Sequence, residues 1–209
     1  MMNDMLQKPL DELSRIPQTW NVLRYVVEAG FRGEKAVIEG ELQPWQDVGQ
    51  RLFLDFGCGT GAFAACFPSR QYVGVDIATH YVQYAHTARS GGYGVMDGSA
   101  LALQGEQFDA ALVLGVFHHL PDAIVRASVA ELSRVLKPGA TLLVMEDIAP
   151  PDVWNVAGHA MHWLDRGGFI RSDESYRMLL HPYFMLQKTY TMRSGICDYA
   201  VYVLERITE

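Results

Sequence analysis

The sequence predicts an α/β protein, a mostly parallel sheet with helices on both faces and an antiparallel hairpin at its end. Three observations carry this. From Arg51 onward, short apolar runs alternate with helical stretches, the order of successive βαβ units. One run, FDAALVLGV over 108–116, is apolar almost throughout, as a strand covered on both faces must be. Two long alternating runs, 183–193 and 196–207, meet around Ser194-Gly195 in the pattern of a hairpin.

Each element follows in order. Ahead of residue 50, Trp20, Leu23, Val27 and Phe31 recur at three- and four-residue steps, predicting a helical lead interrupted at Gly30 and Gly33. RLFLDF (51–56) is the first strand, and a helix is expected after the glycines that follow it. QYVGVD (71–76) is the second, with a helix through Tyr81, Tyr84, Ala85 and Ala88 that stops near Gly91-Gly92. YGVMD (93–97) is a short third strand and 108–116 the fourth. A helix starts after Pro121, where proline suits a first turn, and runs to a stop at Lys137-Pro138-Gly139, with Gly139 ending it. ATLLVMEDI (140–148) is the fifth strand. The chain reads as one domain over 1–209: a helical lead and lid (1–49), a cofactor-binding core (50–148), a substrate-side insertion (149–182) and the closing hairpin (183–209).

Composition narrows the function. Hydrophobic residues make up 49% and charged residues 20%, enough for a sizeable core in a soluble chain. A net charge of -7 opposes a phosphate backbone, so nucleic acid is not the expected partner. No run approaches the ~20 apolar residues that span a bilayer, and the N-terminus lacks a cationic, then apolar, leader; a cytoplasmic protein without membrane insertion is expected. Cys58, Cys66 and Cys197 are odd in number and show no CxxC spacing, so they read as reduced thiols.

The chemistry concentrates at the ends of the predicted strands. Glycines at 57, 59 and 61 let the backbone turn tightly beside a ligand. The pattern also fits G-x-G-x-x-A with Ala62, the dinucleotide alternative. Asp55, two residues ahead, separates the two: it would repel a pyrophosphate at that turn but attract the ammonium of S-adenosylmethionine. Asp76 stands where a ribose-binding acid belongs, and Asp97, before Gly98, suits the adenine amino group. An NAD-linked oxidoreductase would need a catalytic Tyr-Lys or His-Asp arrangement after the fourth strand, and none is visible.

In order and spacing LDFGCGTG, VGVDIA, MDGSALAL, FDAALVLGVFHHLPD and RVLKPGATLLVMED resemble the successive motifs of class I S-adenosylmethionine-dependent methyltransferases, most closely the small soluble type 11 group. The resemblance covers roughly residues 50 to 148. It implies the Rossmann-like seven-stranded sandwich of that class, with S-adenosylmethionine as cofactor and S-adenosylhomocysteine as product. Asp55, Gly57, Gly59 and Gly61 would then form the methionine-end loop, with Cys58 as its small filler. Asp76 would hold the ribose with Ile77 against adenine, Asp97 and Gly98 would frame the base, and Leu114 and Gly115 would offer backbone oxygen near the amine. His119, and behind it His118, stand where the transferred methyl is expected and are the candidate catalytic bases, although the same HHLPD ending reads equally as a structural hydrogen-bonding turn.

Downstream, His159, His162 and Asp165 share a helical spacing. No diagnostic metal motif accompanies them, so they are read as lining a substrate pocket, with no metal expected. Trp20, Tyr25, Trp154, Met161, Trp163 and Tyr176 could form an apolar lid or pack in the core. The fourth strand ends in LGVFHHL and lacks the N/D-P-P-Y/F grip on a planar base. A small-molecule or lipid-like acceptor is therefore expected, with methyl transfer by in-line displacement. A non-catalytic cofactor- or partner-binding module is the alternative. Monomer and homodimer both remain open.

Overall fold

The computed structural model describes residues 16–47, 49–164 and 168–208, without the side chains of Trp20 and Leu164. Its elements in chain order are α1 (Pro17–Val27), α2 (Arg32–Leu42), β1 (Phe53–Phe56), β2 (Tyr72–Asp76), α3 (Thr79–Ala88), β3 (Gly92–Val95), β4 (Phe108–Leu114), α4 (Asp122–Val135), β5 (Leu136–Ile148), α5 (Val156–Leu164), α6 (Asp173–Leu180), β6 (Phe184–Ser194) and β7 (Cys197–Arg206). The seven strands form one sheet in the order β3-β2-β1-β4-β5-β7-β6. β1 to β5 run parallel, while β7 lies antiparallel to both β5 and β6. This is the expected α/β sandwich with its antiparallel C-terminal hairpin.

Alternation along the central strands builds two cores. Leu54, Ala111, Val113, Leu142 and Val144 face α4 and α6, packing on Val125, Val129, Leu132 and Leu179. Phe53, Ala110, Leu112, Leu143 and Met145 face the other way onto Val37, Ile38 and Leu42 of α2 and onto Phe63 and Phe67. β4 is therefore apolar on both sides because both sides are covered.

Three expectations change. The helical lead is two helices: the chain turns at Ala29, Gly30 and Phe31, all at positive φ, and α2 starts afresh. The segment after β1 holds no α-helix, only 3₁₀ turns at Ala64–Cys66 and Ser69–Gln71. Three positive-φ glycines consume its start and Pro68 interrupts the rest, so i→i+3 bonds such as Cys66 N–H to Phe63 O replace helical ones. Gly139 does not end α4, which stops at Val135; it sits at φ 73° in β5, where pairing with β4 slips between Phe108/Leu136 and Ala110/Thr141. Among the described residues no helix is long and apolar enough to cross a membrane.

Candidate functional site

The chain leaves β1 toward β2 on one side, and β4 lies on the other, so the loops beyond the carboxyl ends of β1 and β4 diverge. A crevice at this position is the general ligand site of open α/β sheets. A cavity of about 560 Å³ opens there. Beside it lies a recess of about 50 Å³ that shares Arg24, Gly57, Gly59, Tyr81 and Leu114 with the larger space.

The glycine loop is built as its sequence requires. Gly57, Gly59 and Gly61 have φ of 75°, 51° and 66°. The N–H groups of Gly57 and Cys58 donate to Val75 O at 2.8 and 3.0 Å, pinning the loop to β2. A Cβ on Gly57 would come within 2.4 Å of Val116, so the turn admits no side chain there. Gly57 and Gly59 line both spaces, Asp55 and Cys58 line the recess, and Gly61 lines neither. Cys58 is a buried filler against Gly74, and burial pushes its thiol far above the ordinary range, which removes it as a nucleophile.

Asp55 is 3% exposed and accepts a 2.6 Å hydrogen bond from the Tyr72 hydroxyl. Burial pushes its carboxyl up to about 7, with the charge of Asp76 adding to the rise and the Tyr72 bond opposing it. The group is poised to ionise beside a cation. Asp76 accepts N–H bonds from Gly59 and Ala78, each 2.8 Å, so it ties the glycine loop to the end of β2 and still lines the large cavity. A carboxylate has lone-pair capacity beyond those two bonds. Ile77 is 70% exposed on the same rim. Asp97 lines the cavity with Gly98, its Oδ1 accepting from Ser99 N–H (2.8 Å) and the Ser99 hydroxyl (2.7 Å), bonds that lower its pKa. Gly98 owes its identity to packing, since a Cβ would meet Phe56 at 2.3 Å. Leu114 and Gly115 line the floor.

The far half of the cavity holds what the sequence left undecided. His118 and His119 both line it. His118 is buried, and its Nδ1 lies 2.7 Å from Glu146 Oε2. Fully buried Glu146 also accepts the N–H groups of Val116, Phe117 and His118 at 3.1, 2.8 and 3.1 Å, which fixes the 3₁₀ turn Phe117–His119 after β4. The next residue, Asp147, takes His162 Nδ1 at 2.5 Å, and this pair faces the cavity with Met161. His159 is exposed and outside the lining, and Asp165 lies outside the described residues. Of the lid candidates, Met161 alone lines the cavity among the described side chains; Tyr176 is core, while Tyr25, Trp154 and Trp163 are 58%, 87% and 52% exposed. Leu120, Ile124, Ile148 and Pro150 complete an apolar wall. Ser128 opens on the same space, its buried hydroxyl without a hydrogen-bond partner.

Glu146, Asp147, Arg24 and Glu28 were not singled out from sequence. The two acids of β5 carried a readable signal, adjacent carboxylates closing an apolar run at a carboxyl strand end. Arg24 and Glu28 carried only an i,i+4 charge pair, which ordinary surface helices share.

Residues 54–144 match a family described as methyltransferase domain. A ubiquinone biosynthesis O-methyltransferase of Brucella anthropi is 31% identical over 64% of this chain and 55% of its own. A tRNA (carboxymethyluridine(34)-5-O)-methyltransferase of Arabidopsis thaliana is 29% identical over 65% of this chain and 35% of its own. The chain thus spans about a third to a half of the length of these relatives. Among solved structures, an S-adenosylmethionine-dependent methyltransferase from Methanosarcina mazei superposes with a TM-score of 0.62 at 20% identity, covering 83% of this chain and 98% of that one.

Proposed function

Because residues 54–144 are a class I methyltransferase domain of the S-adenosylmethionine-dependent kind, we propose that this protein transfers a methyl group from that cofactor to a small, partly apolar acceptor held beside it. One observation carries the reading: a single cavity runs from Asp76, Ile77 and Asp97 to an apolar wall of Leu120, Ile124, Ile148 and Pro150. Nucleoside-side acids and an acceptor-sized apolar space are thereby continuous, in a volume typical of small-ligand sites.

The residues present fit the cofactor. Asp76 stands at the end of β2 with lone pairs to spare for ribose hydroxyls, exposed Ile77 offers an apolar face to a base, and Asp55 waits half-ionised near neutrality for an ammonium. S-adenosylmethionine supplies, when bound, an already activated sulfonium methyl. The protein's own task is alignment and exclusion of water. For a hydroxyl acceptor a base is also needed, and His162, backed by Asp147, is placed to take that proton. His118 is committed to Glu146 and orders the turn, while His119 borders the acceptor.

A tRNA acceptor is the second reading, favoured by the Arabidopsis relative and opposed by the net charge of -7. Calorimetry with S-adenosylmethionine and NAD, on wild type beside Asp76→Ala, tests the cofactor. Saturable S-adenosylmethionine binding, weakened ~10-fold or more in the variant for loss of a charge-assisted hydrogen bond, is expected. NAD binding, or binding of neither, would sink the assignment. Labelled-methyl transfer to phenolic quinone precursors beside bulk tRNA then separates the two acceptors.

A further inference from the structure

The cofactor named above is a zwitterion at its amino-acid end, and a site for it must meet both charges. Carboxylates are plentiful. Glu28, Asp55, Asp76, Asp97, Asp147 and Asp198 line the two connected spaces. Among the described residues, Arg24 is the sole lysine or arginine in either lining. It is also the one base in the recess, whose one acid is Asp55. We propose that Arg24 is the counter-ion for the carboxylate of the bound cofactor's amino-acid end, which makes helix α1 a working part of the cofactor site. The inference rests on the S-adenosylmethionine reading.

The guanidinium is held for this task. Its Nε and Nη2 donate to Glu28 at 2.7 and 3.0 Å, using two of its five N–H donors along one edge of the fork. Glu28 is 4% exposed in its side chain and is fixed in turn by the Tyr199 hydroxyl at 3.1 Å, whereas the Arg24 side chain keeps 26% of its surface open. The helix is tied down on both flanks. Ile196 N–H donates to Val27 O at 3.0 Å, the Ser194 hydroxyl donates to Glu28 O at 2.8 Å, and the Thr60 hydroxyl of the glycine loop bonds Asn21 Oδ1. A second observation points to an anion at the same place. The Asn21 amide nitrogen, one turn before Arg24 on the same helix face, is buried with no hydrogen-bond partner, and its amide oxygen already contacts Thr60, which lines the recess. An unsatisfied donor and a cation thus flank one small space. Without Arg24, a ligand carboxylate entering six acids' field would meet only repulsion.

The test compares S-adenosylhomocysteine with 5′-methylthioadenosine, which keeps the nucleoside and thioether but lacks the amino-acid end. Isothermal calorimetry on Arg24→Met should show S-adenosylhomocysteine weakened roughly 10- to 100-fold, the range for a lost charge-assisted hydrogen bond. Affinity for 5′-methylthioadenosine should stay within about twofold of wild type. Equal losses for both ligands, or none for S-adenosylhomocysteine, would overturn the proposal. Because Arg24→Met leaves Glu28 buried and unpaired, Glu28→Gln is measured beside it. That variant keeps the cation and should retain S-adenosylhomocysteine binding; a loss matching that of Arg24→Met would assign the pair a purely structural role and overturn the proposal too. A wild type that binds neither ligand would instead defeat the cofactor reading itself.

Discussion

Two histidines line the acceptor half of the cavity, each with a carboxylate from adjacent positions of β5, and their surroundings give them different work. Strand alternation sends Glu146 to the α4 side and Asp147 to the α2 side. Glu146 meets three backbone N–H groups as well as His118, so that pair is spent on holding the turn after β4. Removing one partner of so buried a set leaves several donors unsatisfied, which makes it structural in effect. The His162 side chain is 21% exposed beside the apolar wall, and Asp147 orients its Nδ1. We expect His162→Ala to lower turnover of a hydroxyl acceptor by at least ~10² while leaving S-adenosylmethionine affinity unchanged. Steady-state kinetics and calorimetry on one preparation check this, and an unaltered turnover would return the role to His119.

At the scale of elements, α1 and α2 are locked to the closing hairpin through buried polar groups. Glu34 of α2 is fully buried, accepts from the Ser194 hydroxyl and neighbours Glu28. Burial, reinforced by Glu28, pushes its carboxyl up to about 8. Between pH 4.5 and about 8 the unfolded chain has released this proton while the folded chain retains it, so stability falls as pH rises through that window. Glu34→Gln, which keeps the shape and a hydrogen-bonding amide, should match wild type at pH 5 and melt ~3 °C or more above it at pH 8.5. Thermal melts at the two pH values decide it; parallel shifts at both would show that Glu34 does not hold the proton. The same packing explains two glycines. A Cβ on Gly33 would reach Arg193 O at 2.9 Å, and one on Gly195, at φ 59°, would reach Val27 O at 2.1 Å. From sequence Gly33 reads as a helix breaker and Gly195 as a turn, yet each sits where helix and hairpin touch.

For the whole molecule, cofactor and fold are coupled by where the cavity lies. Its lining comes from α1, the loops after β1, β2, β3 and β4, the end of β5, helix α5 and the start of β7. A ligand that joins so many elements adds its binding free energy to the native state alone. S-adenosylhomocysteine at a hundredfold excess over its Kd should therefore add about 2.7 kcal/mol and raise the melting temperature by roughly 5–10 °C. Differential scanning calorimetry with and without the ligand reads this directly. No shift at saturation would mean that the ligand does not bind the native cavity.

The sequence by itself determined the parallel core, the hairpin and the row of Asp55, Asp76 and Asp97 at successive strand ends, because these depend on local signals: two-residue alternation, glycine at positive φ, and acids at fixed offsets from strands. It also located His118, His119 and His162, but not their duties. Only the tertiary structure decided that Glu146 rather than solvent meets His118, that Asp147 meets His162, and that Arg24, some thirty residues ahead of the glycine loop, stands over it. Those partners come from different elements brought together by packing. No spacing within one stretch of chain records them, since an i,i+4 charge pair on a helix looks the same whether it faces water or a ligand.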